Sequence, residues 1–77
     1  MEISLNCLKE GQRGRIIRLD MAGSLRRRLQ DLGLIEGTGI CCLRKSPAGD
    51  PVIYQARGMM LALRNTDSSQ ILVEELP

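Results

Sequence analysis

The run Leu29-Gln30-Asp31-Leu32-Gly33-Leu34-Ile35-Glu36-Gly37-Thr38 ends a helical pattern at one glycine and begins a strand pattern just past another. Upstream, Leu25, Leu29 and Leu32 recur at i, i+4 and i+7, one face of a helix that Ser24 is placed to cap. Gly33 sits where a left-handed C-terminal cap is needed. Downstream, Thr38, Ile40 and Cys42 alternate as a half-buried strand does, and Gly37 supplies the tight turn that leads into it. A helix is thereby delivered onto a sheet.

Five strands are expected around this junction. The first spans about Gln12 to Leu19, where Ile16, Ile17 and Leu19 put apolar residues on both parities and predict a bulge, placed at Gly14. Before it, Ser4 to Leu8 can form one capped helical turn, closed by Lys9-Glu10-Gly11. After the helix from Ser24 to Leu32 come strands at Thr38–Lys45, Val52–Ala56, Met59–Leu63 and Ile71–Glu74. Ser46-Pro47-Ala48-Gly49-Asp50-Pro51 is dense in turn formers and reads as a loop, and Arg57-Gly58 as a hairpin turn. Gly33, Gly37, Pro51 and Gly58 are thus assigned to the backbone's turns. Between Arg64 and Gln70 the chain is polar, with Asn65 and Thr66 as caps for one short helical turn.

The fold class is mainly β: a small barrel of five short strands with one helix inserted between the first and second, closed to remove exposed edges. An OB barrel would carry its helix later, between the third and fourth strands, so the SH3-like barrel is favoured. No repeat or linker-like stretch divides residues 1–77, which read as one domain. A chain this short has a stability of about 4–12 kcal/mol and little room for a substrate cavity. Its core must be aliphatic, since Tyr54 is the only aromatic.

Chemistry is mostly withheld. With no histidine, the usual general base is missing and Ser-His-Asp or Cys-His catalysis is excluded, so no enzyme is expected. Gly33 to Gly39 superficially resembles a phosphate-cradling loop, but such loops follow a strand and open a helix, the reverse of the order here. Cys7, Cys41 and Cys42 match no zinc, iron–sulfur or disulfide spacing and read as free thiols, with Cys42 in the core and Cys41 on the opposite face. No metal site and no cofactor is expected. Met1-Glu2-Ile3-Ser4 lacks the pattern of a secretory signal and no apolar run approaches the ~18 residues of a membrane span, which points to the cytoplasm.

Arg26-Arg27-Arg28 is the densest charge run and fans across the helix at about 100° per residue, flanking the leucines. It reads either as a solvated face or as a docking surface for an acidic partner, extended by Arg13, Arg15 and Arg18. Ser46, Pro47, Gly49 and Asp50, in the turn-rich loop, are further candidates for partner contact, since loops carry recognition. Nine arginines also raise nucleic-acid binding by a small barrel as an alternative. A net charge of only +2 and the near absence of aromatics count against it.

The order Leu25-Arg26-Arg27-Arg28-Leu29, Asp31-Leu32-Gly33-Leu34, Gly37-Thr38, then Gly49-Asp50-Pro51, Leu61-Ala62-Leu63-Arg64 and Ile71-Leu72-Val73 resembles the ferrous iron transport protein A (FeoA) family from about Ser4 to Glu74. The resemblance implies a small cytoplasmic bacterial protein with an SH3-like fold. It implies a regulatory role through contact with the cytosolic, GTP-hydrolysing region of the membrane ferrous iron transporter B, and no nucleic-acid partner. Similar domains end certain iron- or manganese-dependent repressors, whose helix-turn-helix region is missing here. Asp67-Ser68-Ser69-Gln70 departs from the family, which often has alanine in that turn. No catalytic or metal residue carries over.

Overall fold

The computed structural model describes residues 1–77. Six strands form one antiparallel sheet: β1 (Glu2–Ser4), β2 (Arg13–Leu19), β3 (Gly39–Lys45), β4 (Val52–Ala56), β5 (Met59–Leu63) and β6 (Ile71–Glu75), in the spatial order β1-β6-β2-β3-β4-β5. Helix α1 (Gly23–Asp31) lies between β2 and β3, and the one-turn helix α2 (Asn65–Ser68) between β5 and β6. A 3₁₀ turn at Leu5–Cys7 follows β1. The five expected strands are therefore present within a residue or so of their expected ends, and the helix is where the pattern put it.

Three details differ. Residues 2–4 add a sixth strand, paired to β6 through Ile3 and Val73, which three residues with one apolar side chain do not announce. The ladder has two ends, β1 and β5, so hydrogen bonding does not close it. Finally, Ser24 does not cap α1: the helix begins one residue earlier, the cap position falls on Ala22, and no side chain bonds there.

The bulge lies past Gly14, between Ile16 and Arg18, where β2 slips by one residue against β6. Ile16 and Leu19 are three positions apart, so without an extra residue they would face opposite sides. The bulge at Ile17 restores both to the core, at 1% and 6% exposure. Gly14 serves another purpose: a Cβ there would press on the Glu74 carbonyl and Val73 at 3.2 Å, so glycine lets β2 and β6 approach closely.

A single aliphatic cluster fills the interior, including Leu5, Leu8, Ile16, Leu34, Cys42, Tyr54, Ile71 and Val73. Each fully buried leucine contributes about 1.5–3 kcal/mol. Of the α1 stripe, only Leu29 is fully buried; Leu25 and Leu32 are half-buried. Leu25 nonetheless packs against the core, and Met21 just before the helix is buried in it, so α1 is anchored near both ends.

Candidate functional site

The cap is built from the junction that dominates the sequence. After Leu32, Gly33 adopts φ +92°. Its N–H donates to the Gln30 carbonyl at 2.9 Å, and the Leu34 N–H donates to the Leu29 carbonyl at 2.9 Å. These two bonds satisfy helix-end carbonyls in the pattern of a left-handed glycine cap, and Leu29 and Leu34, both buried, supply its usual apolar partnership. Thr38 locks the exit: its hydroxyl donates to the Gly33 carbonyl at 2.8 Å and accepts from the Ile35 N–H at 3.2 Å. The Thr38 N–H donates to the Ile35 carbonyl across a turn in which Gly37 has φ +91°.

Beside this cap lies the β4–β5 hairpin turn, Arg57-Gly58, with φ of 52° and 76°. Positive φ at both central residues is the turn whose twist matches the flanking strands. Arg57 is the only residue other than glycine in this left-handed region, and its side chain rests against Gly33, where a Cβ would lie 2.5 Å from Nε. Glycine at position 33 therefore serves both the cap and the passage of Arg57.

Past the turn, β5 runs alongside α1 and the two enclose a groove of about 380 Å³. Leu25, Arg28, Leu29 and Leu32 form the helix wall; Met60 to Leu63 form the strand wall; Arg64 and Asp67 stand at one end. Met60 is 73% exposed. Of the three candidate arginines on the helix, Arg28 lines the groove while Arg26 and Arg27 are exposed outside it, and none of the three is ion-paired.

The candidate loop Ser46 to Pro51 is tied to the same end. The Asp50 carboxylate accepts from the Asn65 N–H at 2.9 Å, and the Asn65 side-chain amide donates to the Gly49 carbonyl at 2.9 Å. Asp50 thereby supplies the cap of α2 that was assigned to Asn65 and Thr66 themselves. Gly49 also donates to the Ser46 carbonyl at 2.7 Å, and Pro47 lies at the exposed tip. Arg28 and Arg64 thus line one groove, and the Gly49–Asp50 stretch is tied to Asn65 next to Arg64. Sequence reasoning passed over Met60, Ala62, Arg57 and Arg64; the available signal was an uncharged strand bracketed by two arginines.

In the core, burial pushes the Cys42 thiol up, against a smaller opposing influence of Lys45, and burial pushes the Tyr54 hydroxyl up, against the nearby Ser68 hydroxyl. Cys41 is half-buried in a second cleft of about 330 Å³ with Arg13 and Arg57, on the face opposite Cys42. No three His, Cys, Asp or Glu side chains come together as a metal cage. Tyr54, buried at 1% exposure, offers no surface for base stacking. No helix is long and apolar enough to cross a membrane.

A family model described as the FeoA domain matches residues 3–75. The Fe(2+) transport protein A/Fe(2+) transporter FeoB fusion protein of Porphyromonas gingivalis is 31% identical over 70 residues, 91% of this chain. The chain spans only 8% of that protein's length. Among solved structures, the FeoA protein of Chlorobium tepidum matches with a TM-score of 0.92 and 36% identity, covering 97% of this chain and 71% of that one. Stenotrophomonas maltophilia FeoA, described as a prokaryotic SH3 domain protein, matches with a TM-score of 0.78 and 23% identity, covering 96% and 89%. At that identity the likeness concerns the fold alone, and it is the SH3-like fold expected from the order of elements.

Proposed function

The chain belongs to the FeoA domain family, and on that footing we propose that it is a cytoplasmic accessory protein of ferrous iron uptake that acts by docking on the cytosolic region of an FeoB-type transporter. The observation that carries this reading is the Porphyromonas gingivalis protein, in which a stretch similar to nearly all of this chain is joined to FeoB in one polypeptide. Joining two modules raises their effective concentration for each other, which is useful when they work in contact. The absence of any histidine from the sequence supports a role by binding rather than by catalysis. Exposed, unpaired arginines on α1 and the groove beside it supply the contact surface, because arginine is enriched at interfaces and apolar grooves bind partner segments.

The test is co-purification with a co-expressed FeoB transporter, with and without nucleotide and ferrous iron. The folded wild-type chain is expected to be retained and an Arg26→Glu/Arg27→Glu/Arg28→Glu variant, checked for folding, to be lost. A folded wild type that associates under none of these conditions overturns the proposal.

A further inference from the structure

The free edge of β5 is unprotected. In a two-residue hairpin the residues flanking the turn, here Ala56 and Met59, exchange both backbone bonds, and the alternation continues through Tyr54 with Leu61 and Val52 with Leu63. Met60 and Ala62 therefore direct their N–H and C=O groups away from β4, and neither residue has a hydrogen bond elsewhere in the chain. Sheet edges are ordinarily blunted by shortness, charge, proline or a bulge. The other end of the ladder, β1, has three residues and carries Glu2. By contrast, β5 has five residues, Met59-Met60-Leu61-Ala62-Leu63, with no charge, no proline and no slip in register.

Charge decides what can cover it. Arg57 and Arg64 bracket β5, both exposed and unpaired, and Arg28 stands on the facing helix wall. A second copy pairing antiparallel about Leu61 would set Arg64 of one chain beside Gly58 and Arg57 of the other at both ends, and a parallel pairing would set Arg57 beside Arg57. Like charges opposed across a ladder are unfavourable. An extended segment with an acidic residue at each end and apolar residues between meets the same edge with attraction at both ends. Its alternate side chains would face Leu25, Leu29 and Leu32 across the groove.

We propose that β5 is a strand-addition site: an extended, acid-flanked apolar segment of a partner protein pairs with the Met60 and Ala62 backbone and fills the groove against α1. This rests on the reading above only for the partner's identity, the segment then belonging to the transporter's cytosolic region.

The probe is a blocked heptapeptide with aspartate at both ends and alternating valine and threonine between, added to the isotopically labelled full chain. Saturation is expected to slow amide exchange at Met60 and Ala62 by about 10-fold or more, while Leu61 and Leu63, already bonded to β4, change little. A lysine-ended peptide is expected to bind about 10-fold more weakly, as is the aspartate peptide to an Arg57→Asn/Arg64→Gln variant. Asparagine suits the turn position better than arginine, so that loss cannot be assigned to misfolding. Ala62→Pro, which removes an outward N–H and no ladder bond, is expected to abolish binding with the fold intact. Binding that leaves Met60 and Ala62 exchange unchanged, no binding at millimolar peptide, or equal binding of the lysine peptide overturns the proposal. So does protection that rises with protein concentration alone, which would make a second copy the occupant. In the transporter experiment, a folded Ala62→Pro chain that is still retained overturns strand addition and leaves the accessory role standing. Loss of the wild type there refutes that role and leaves the peptide result to decide the edge.

Discussion

Gly33→Ala tests the junction on which the fold turns, and its cost can be assembled from the geometry. Holding alanine at φ +92° costs about 1–2 kcal/mol, because Cβ crowds the following carbonyl in the left-handed region. The new Cβ would also lie 2.5 Å from Arg57 Nε and 2.6 Å from Cδ. Arg57 is exposed and can swing aside, so this overlap adds roughly 0.5–1.5 kcal/mol, the scale of a displaced rotamer. Alanine returns about 0.5 kcal/mol by restricting the unfolded chain. The net loss is about 1–3 kcal/mol, a large share of the ~4–12 kcal/mol available to 77 residues. Urea unfolding should register that loss, with the melting temperature falling by roughly 5–20 °C. Repeating the substitution in an Arg57→Ala background isolates the overlap, since the strain at position 57 is common to both arms of the cycle. There the cost should shrink to about 0.5–1.5 kcal/mol. A Gly33→Ala chain as stable as wild type or more stable would refute the left-handed cap, and a cost unchanged by removing Arg57 would refute the contact.

Thr38→Val keeps the shape of the turn but removes a hydroxyl that donates to the Gly33 carbonyl and accepts from Ile35; a loss of about 1–2 kcal/mol in urea unfolding is expected, and none would mean that water replaces both bonds at no cost. Ser68→Ala should stabilise by roughly 0.5–1 kcal/mol, because Ser68 Oγ is fully buried and meets no partner at hydrogen-bond geometry, near as it lies to Tyr54. A loss instead would show that the hydroxyl bonds to Tyr54. Stability should also fall at alkaline pH. Cys42 and Tyr54 hold their protons more tightly folded than unfolded, so their contribution is intact below the ordinary values of 9.0 and 10.0 and disappears as pH rises through the raised folded values. Tyr54→Phe should flatten the upper part of that decline in a pH series of urea midpoints, and an unaltered slope would assign it to other groups.

How much was legible in the chain follows from how local each determinant is. The helix, its glycine stop, the Thr38–Lys45 strand and the Arg57-Gly58 turn are each specified within about ten residues, by spacing and by turn chemistry. By contrast, β1 exists because β6 offers it an edge some 70 residues away, and Glu2-Ile3-Ser4 carries no period of its own. The bulge was legible as a parity conflict among Ile16, Ile17 and Leu19, but its position depends on the register of β6, which the strand itself does not encode. The capping of α2 by Asp50 is likewise a contact across 15 positions. For the candidate surface, Arg28 and the Gly49–Asp50 loop were visible as charge and as turn residues. The groove was not, because it exists only once α1 is laid beside β5.

That placement also explains why the exposed apolar surface gathers where it does. Helix α1 has a continuous leucine stripe, yet the sheet takes up only Leu29 fully; Leu25 and Leu32 remain half-buried, and half-buried Leu61 lines the same space from β5. A helix whose sole task was to close the core would gain about 1.5–3 kcal/mol from each leucine it drove fully inside. This one is held by its C-terminal cap, by Leu29, by Leu25 packed against the core and by buried Met21 just before it, with the Arg57 side chain lying across Gly33. What stays half-exposed is the groove side of Leu25 and Leu32, with Arg28 beside them, and that wall is left to be covered from outside. A segment bound in the groove would bury what folding leaves half-exposed, so exchange along α1 should slow when the groove is filled, while the amides of Gly33, Leu34, Gly37 and Thr38, already bonded in the junction, should change little.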